Sequence, residues 1–146
     1  FIERNPAKIL KQLDALEEAL KSENLVILFP EGTSSDGQRI LPFNSGLFQA
    51  VYQGEDEEKY STKVQSLTIY YCINDHLDKD FFAWYHSRTL AGHIFKVLGT
   101  RHRSKIYMTF GNKTRSGNFS NRKELTQFLF NQVLNNFSSH LSGAIK

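Results

Sequence analysis

The stretch Leu25-Val26-Ile27-Leu28-Phe29-Pro30-Glu31-Gly32-Thr33-Ser34-Ser35-Asp36-Gly37 decides the fold class. Five consecutive apolar residues, Leu25 to Phe29, have the length and bulk of a strand buried on both faces. Pro30 has no N–H to give to a ladder, so the strand ends there. Glu31, Gly32, Thr33, Ser34 and Ser35 follow at once, past the carboxyl end of a central strand, where open α/β sheets bind ligands. Gly32 permits a sharp turn or a close backbone approach, and the N–H groups and hydroxyls after it suit an anion-binding nest. Asp36-Gly37 reads as a turn. A plain polar loop would carry the same turn residues; the carboxylate between strand end and glycine favours a site.

Upstream, Asn5-Pro6 is a helix start, with Asn as N-cap and Pro at the first helical position. Ile9, Leu10, Leu13, Leu16 and Leu20 recur at helical spacing, predicting an amphipathic helix that ends near Ser22 and packs on the sheet. Downstream, Gln38 to Pro42 is extended, and Asn44-Ser45-Gly46 opens a short helix through Leu47, Phe48, Ala50, Val51 and Tyr52. Gly54 to Lys59 is an exposed acidic loop. Val64 to Ile73 is β-branched and aromatic, a second core strand, which makes its Cys72 a buried structural cysteine. Asn74 to Asp80 is a polar loop whose His and Asp spacing matches no metal loop.

Phe81 to Tyr85 is a dense aromatic run, either core or the lining for an apolar ligand. Thr89 to Leu98 is a helix closed by Gly99, with His93 on its face; Arg101 to Lys105 is a basic loop, and Ile106 to Gly111 a third strand. Asn112 to Asn118 is a polar connection. Asn121 opens a final helix with Leu125, Phe128, Leu129, Val133, Leu134 and Phe137 as its apolar stripe. Helices alternating with strands predict an α/β fold: a mostly parallel central sheet flanked by helices.

The 146 residues suffice for one domain with a real core, and 40% hydrophobic with 13% aromatic content is globular. One cysteine excludes an internal disulfide, and no apolar run approaches the roughly 20 residues of a membrane span. The net charge of +3 is unevenly spread. Residues 1–73 hold 7 Lys/Arg and 11 Asp/Glu; residues 74–146 hold 11 and 4. From His86 to Lys123 there are nine Lys/Arg, three His and no acid. Such a block implies an acidic partner: a lipid surface, the phosphates of an acyl carrier, or nucleic acid.

Phe29-Pro30-Glu31-Gly32-Thr33 resembles the third sequence block of the glycerolipid acyltransferases, the lysophosphatidic acid acyltransferase-like (PlsC-like) proteins. The continuation Ser34-Ser35-Asp36-Gly37, then Leu41-Pro42-Phe43 and Leu47-Phe48, is similar to bacterial members, including lyso-ornithine lipid acyltransferases. Phe1-Ile2-Glu3-Arg4 resembles the end of the second block, and Val64 to Ile73 the fourth, with Ser66 where the family usually has proline. The resemblance runs from Phe1 to about Leu125, and it implies a single domain over 1–146 that is the C-terminal part of an acyltransferase domain, incomplete at its N-terminus.

It further implies transfer of a fatty acyl group to a lysolipid, glycerol phosphate or lyso-ornithine lipid hydroxyl. Acyl-CoA or an acyl-carrier protein is the co-substrate, without a cofactor, on the cytoplasmic face of a membrane. The substrate-binding residues it implies are Arg4, Phe29, Pro30, Glu31, Gly32, Thr33, Ser34 and Ser35. The family's catalytic motif is His-x-x-x-x-Asp, with His as general base. Here the residues five places after His76, His86, His93, His102 and His140 are Phe81, Ala91, Leu98, Tyr107 and Ile145. None is Asp, so the catalytic pair is expected upstream of Phe1. No nucleophile elbow and no phosphate loop of the P-loop type occurs. Two alternatives stay open: a lipid-binding relative without catalysis, and a nucleic-acid module, the latter disfavoured because several of Phe95, Tyr107, Phe110 and Phe119 fall on faces expected to be core and the same charge serves an anionic bilayer or coenzyme A equally well.

Overall fold

The computed structural model describes residues 6–22, 24–51, 62–85 and 89–143. Its elements are α1 (Pro6–Lys21), a 3-10 turn (Ser45–Phe48), β1 (Lys63–Val64), β2 (Leu67–Cys72), α2 (Leu90–Leu98), β3 (Lys105–Phe110), β4 (Thr114–Arg115), a second 3-10 turn (Ser116–Asn118) and α3 (Arg122–Leu141). Asn5, Tyr52, the acidic run Gly54 to Lys59 and residues 86–88 lie outside the described residues.

α3 shows how the sequence writes an element. The Asn121 carboxamide oxygen accepts from the Lys123 and Glu124 N–H groups, both at 3.0 Å, so two otherwise orphaned helix donors are satisfied, a cap worth about 1 kcal/mol. Leu125, Leu129, Val133 and Phe137 recur every fourth residue and are buried. Leu125 and Leu129 join Phe48 and Val51 in the core, with Leu20, Leu28, Phe43, Val64, Phe119 and Phe128 packed around them. Leu134 lies beyond the edge of the stripe and is exposed.

The C-terminal half of α3 covers one face of the β2–β3 pair. Tyr70 meets Phe137 edge to face (5.6 Å), while the His140 ring stacks on Tyr70 (5.3 Å) and bonds the Thr109 hydroxyl through Nε2 (2.8 Å). The break between β1 and β2 falls at Gln65 and Ser66. There the Ser66 hydroxyl donates to Gln132 on α3 (2.7 Å) and the Ser66 carbonyl accepts from the Gly111 N–H (2.9 Å).

Two expectations change. First, the described strands pair antiparallel: β2 with β3 from Leu67↔Phe110 to Cys72↔Lys105, and β1 with β4. A parallel central sheet is absent among the described residues. Alternation of helices and strands fixes element order but not strand direction. Cys72 and Lys105 are register partners, so residues 73–104, α2 included, leave and return at one end of the sheet instead of crossing it.

Second, Leu25 to Phe29 is not a β-strand and is not buried on both faces. Leu25, Ile27 and Phe29 are exposed, Leu25 at 92%, while Val26 and Leu28 are half-buried and Leu28 touches the core. This period of two is that of an extended chain with one face on the core. A ladder needs a neighbour, and no described strand pairs with it. Cys72 is likewise exposed, since it closes β2 at the open end of the pair.

Candidate functional site

The Phe29–Ser35 turn is held by the core on both sides. Leu28 packs against the core immediately before it. The Pro30 carbonyl accepts from the Asn44 N–H (2.8 Å), and Asn44 caps the 3-10 turn whose Leu47 and Phe48 are buried. Gly32 sits at φ +65°, a conformation costly for any residue with a Cβ, and its N–H donates to the Phe29 carbonyl (3.2 Å). That bond closes the turn through the Gly32 N–H and leaves the N–H groups and hydroxyls after it as the candidate anion donors. Gly37, at φ +74°, donates to the Ser35 hydroxyl (3.2 Å), and Gln38 donates to Asp36 (3.1 Å), which folds the loop back on itself.

Each predicted site residue has a definite place except Arg4, which lies outside the described residues. Phe29, Thr33 and Ser34 are exposed; Pro30, Glu31, Gly32 and Ser35 are half-buried. Burial pushes the Glu31 carboxyl above its ordinary pKa, and the Leu41 N–H bonding to it pulls partly the other way. Leu41 belongs to the wall of a shallow cleft of about 200 Å³ that is also lined by Ser34, Ser35, Asp36, Arg39 and Tyr85. Glu31 is thus bonded to the wall of a cleft that, among the described residues, holds one guanidinium, of Arg39, and one carboxylate, of Asp36.

Arg39, Asp36 and Tyr85 carry no motif of their own. Arg39 is a lone cation in a run that reads as an extended connection, and Tyr85 lies in the aromatic run, more than forty residues away in sequence. The signal for Asp36 and Arg39 is their spacing from the Glu-Gly turn, which sets them on the same loop. Tyr85 has no sequence signal of this kind. Its hydroxyl donates to Asp80 (2.7 Å), which fixes the ring at the cleft edge. Elsewhere in the aromatic run Phe81 is buried, and Phe82 meets it edge to face (5.1 Å) and stacks on Tyr71 (5.4 Å).

The cleft supplies hydroxyls, one guanidinium and one carboxylate. It can bind a polar head group, and among the described residues no histidine lines it to act as general base. Among the described residues no three His, Cys, Asp or Glu side chains gather as metal ligands, and no helix is long and apolar enough to cross a membrane.

The family model described as Acyltransferase matches residues 1–71, which include the whole Phe29–Ser35 turn. A lyso-ornithine lipid O-acyltransferase of Rhodobacter capsulatus is 32% identical over 126 residues, 86% of this chain and 45% of that protein. One from Rhizobium meliloti is 27% identical over 98% of this chain and 51% of its own length. One from Brucella abortus is 40% identical over 53 residues, 36% of this chain and 20% of its own length. The chain thus spans about half the length of the Rhodobacter capsulatus and Rhizobium meliloti relatives. No solved structure matches it significantly.

Proposed function

Since the chain belongs to the glycerolipid acyltransferase family, we propose that it is the acceptor-binding part of an enzyme that acylates the hydroxyl of a lysolipid, with lyso-ornithine lipid as the acceptor that fits best. The observation that carries this reading is the charge make-up of the cleft: Arg39 with Asp36, and Glu31 bonded to the wall. An ornithine head group is a zwitterion with one carboxylate and one ammonium. Arg39 suits the carboxylate as a bidentate partner, and Asp36 suits the ammonium. A phosphate would meet the same guanidinium but be repelled by the Asp36 carboxylate. The hydroxyls of Ser34 and Ser35 serve as neutral donors to the amide of either head-group arm.

In this reading the general base comes from sequence upstream of Phe1, because no His-x-x-x-x-Asp occurs in residues 1–146. The chain by itself is then inactive, and Arg4 adds a second guanidinium to the acceptor site. Residues 1–146 form a single domain only together with that upstream part. There Leu25 to Phe29 gains parallel neighbours and becomes the central strand flanked by helices. The acyl donor is a thioester of coenzyme A or of a carrier protein, and the reaction runs at the cytoplasmic face of a membrane. The absent catalytic pair favours one second reading, a lipid-binding relative that does no chemistry.

Arg39→Ala in the full-length protein separates these roles. Loss of one charged contact to the acceptor raises KM for lyso-ornithine lipid roughly tenfold with kcat and the thioester KM unchanged. Steady-state kinetics varying each substrate in turn reads this directly. An unchanged acceptor KM removes Arg39, and with it the zwitterion argument.

A further inference from the structure

We infer that α2 and the basic loop after it, Arg101 to Lys105, form a docking surface for an anionic lipid bilayer. The choice of partner rests on the lysolipid-acylating reading; the shape of the surface does not.

α2 is turned inside out. Its half-buried residues are His93 and Val97, and Lys96 reaches back so that its ammonium lies 4.4 Å from the centre of the buried Phe81 ring. Leu90, Ala91, Ile94, Phe95 and Leu98 share an arc of about 140° of the helix and are all exposed, Phe95 at 74% and Leu98 at 75%. A helix this apolar on one face ordinarily buries that face against its own protein, yet none of the residues of α2 is buried.

The charges next to α2 identify the partner that covers the stripe. Arg101, His102, Arg103 and Lys105 are exposed, and no Asp or Glu occurs from Phe81 to Lys123. The His102 ring lies 5.6 Å from that of His76, in the loop that carries Asp75, Asp78, Lys79 and Asp80, to be weighed against Arg101, Arg103 and Lys105. Those charges leave the surface net positive. An apolar stripe bordered by arginine and lysine is the composition of a helix lying in a membrane interface: side chains enter the acyl region while cations meet anionic head groups. The outer face of β2–β3 also exposes Ile69, Ile106, Met108 and Phe110, but no strand residue on that face is charged.

The test uses the full-length chain with Cys72→Ser and Leu98→Cys, carrying a polarity-sensitive fluorophore at position 98, and vesicles of phosphatidylcholine with or without phosphatidylglycerol. The expected result is a blue shift and co-sedimentation with the anionic vesicles only. In unlabelled chain, Arg101→Gln with Arg103→Gln lowers the partition coefficient about thirtyfold, the combined effect of two surface charges. Phe95→Ser lowers it at least about tenfold. All these positions are exposed, and circular dichroism confirms that helix content is kept. Partitioning unchanged in both variants overturns the inference. So does a label already blue-shifted and shielded from an aqueous quencher without vesicles, which would mean that polypeptide covers the stripe. Vesicle binding is read without thioester, so failed acyl transfer leaves a positive result standing, and acyl transfer can persist if docking fails.

Discussion

Glu31→Gln in the full-length protein lowers kcat/KM for acyl transfer to a lysolipid by about ten- to a hundredfold, the scale seen when a carboxylate that supports a binding site from its wall is removed. The same substitution does not weaken the fold. The folded chain raises the Glu31 pKa by desolvation, against one opposing bond from the Leu41 N–H, so it holds the ionised carboxylate less comfortably than water does. A raised carboxyl pKa costs nothing below the unfolded value, near 4.5, and costs increasingly as the pH climbs through the raised value. Glutamine has no such cost. Urea midpoints at pH 4 and pH 7 therefore move in favour of Glu31→Gln as the pH rises, while activity at pH 7 falls. A residue kept for structure would show the reverse: lost stability at pH 7 and proportionate loss of activity.

Leu125→Ala lowers the stability of the chain by about 3 kcal/mol, and Tm by roughly 10 °C, because Leu125 is fully buried at the meeting of α3, the Ser45–Phe48 turn and Val51. The companion substitution Leu25→Ala, at a side chain 92% exposed, changes the stability of the same chain by less than about 0.5 kcal/mol. Calorimetry on the two variants checks both. In the full-length protein the two should converge. If Leu25 to Phe29 becomes a strand between upstream neighbours, Leu25→Ala then costs about 2–4 kcal/mol. A cost that stays near zero there contradicts the central-strand reading.

Leu25 also shows what a sequence can and cannot disclose. The run from Leu25 to Phe29 reports how apolar a strand is, hence what it can be buried in. Burial on two faces is a property of its neighbours, and none pairs with it among the described residues. Elements whose partners lie within the chain were legible: the Asn121 cap, the stripe from Leu125 to Phe137, the start of β3 near Ile106 and the Asn44 cap all stand where local chemistry sets them. The direction of β3 was not, because a long connection such as residues 73–104 can return to either end of β2. Within the site, the Glu31-Gly32 turn was legible from its own residues. The cleft was not, since Tyr85 reaches it only through the fold. α2 was legible as a helix, but its outward apolar face was not, because periodicity gives a face without saying where it points.

The most direct measurement of the central claim is release of free thiol from an acyl thioester by the full-length protein, with lyso-ornithine lipid, lysophosphatidic acid or no acceptor. The account predicts thiol release that depends on a lysolipid, is fastest with lyso-ornithine lipid and is lowered in Glu31→Gln. Folded protein that binds lysolipid but releases no thiol with either acceptor would contradict it, and would make the Glu31-Gly32 turn the mark of a lipid-binding pocket alone.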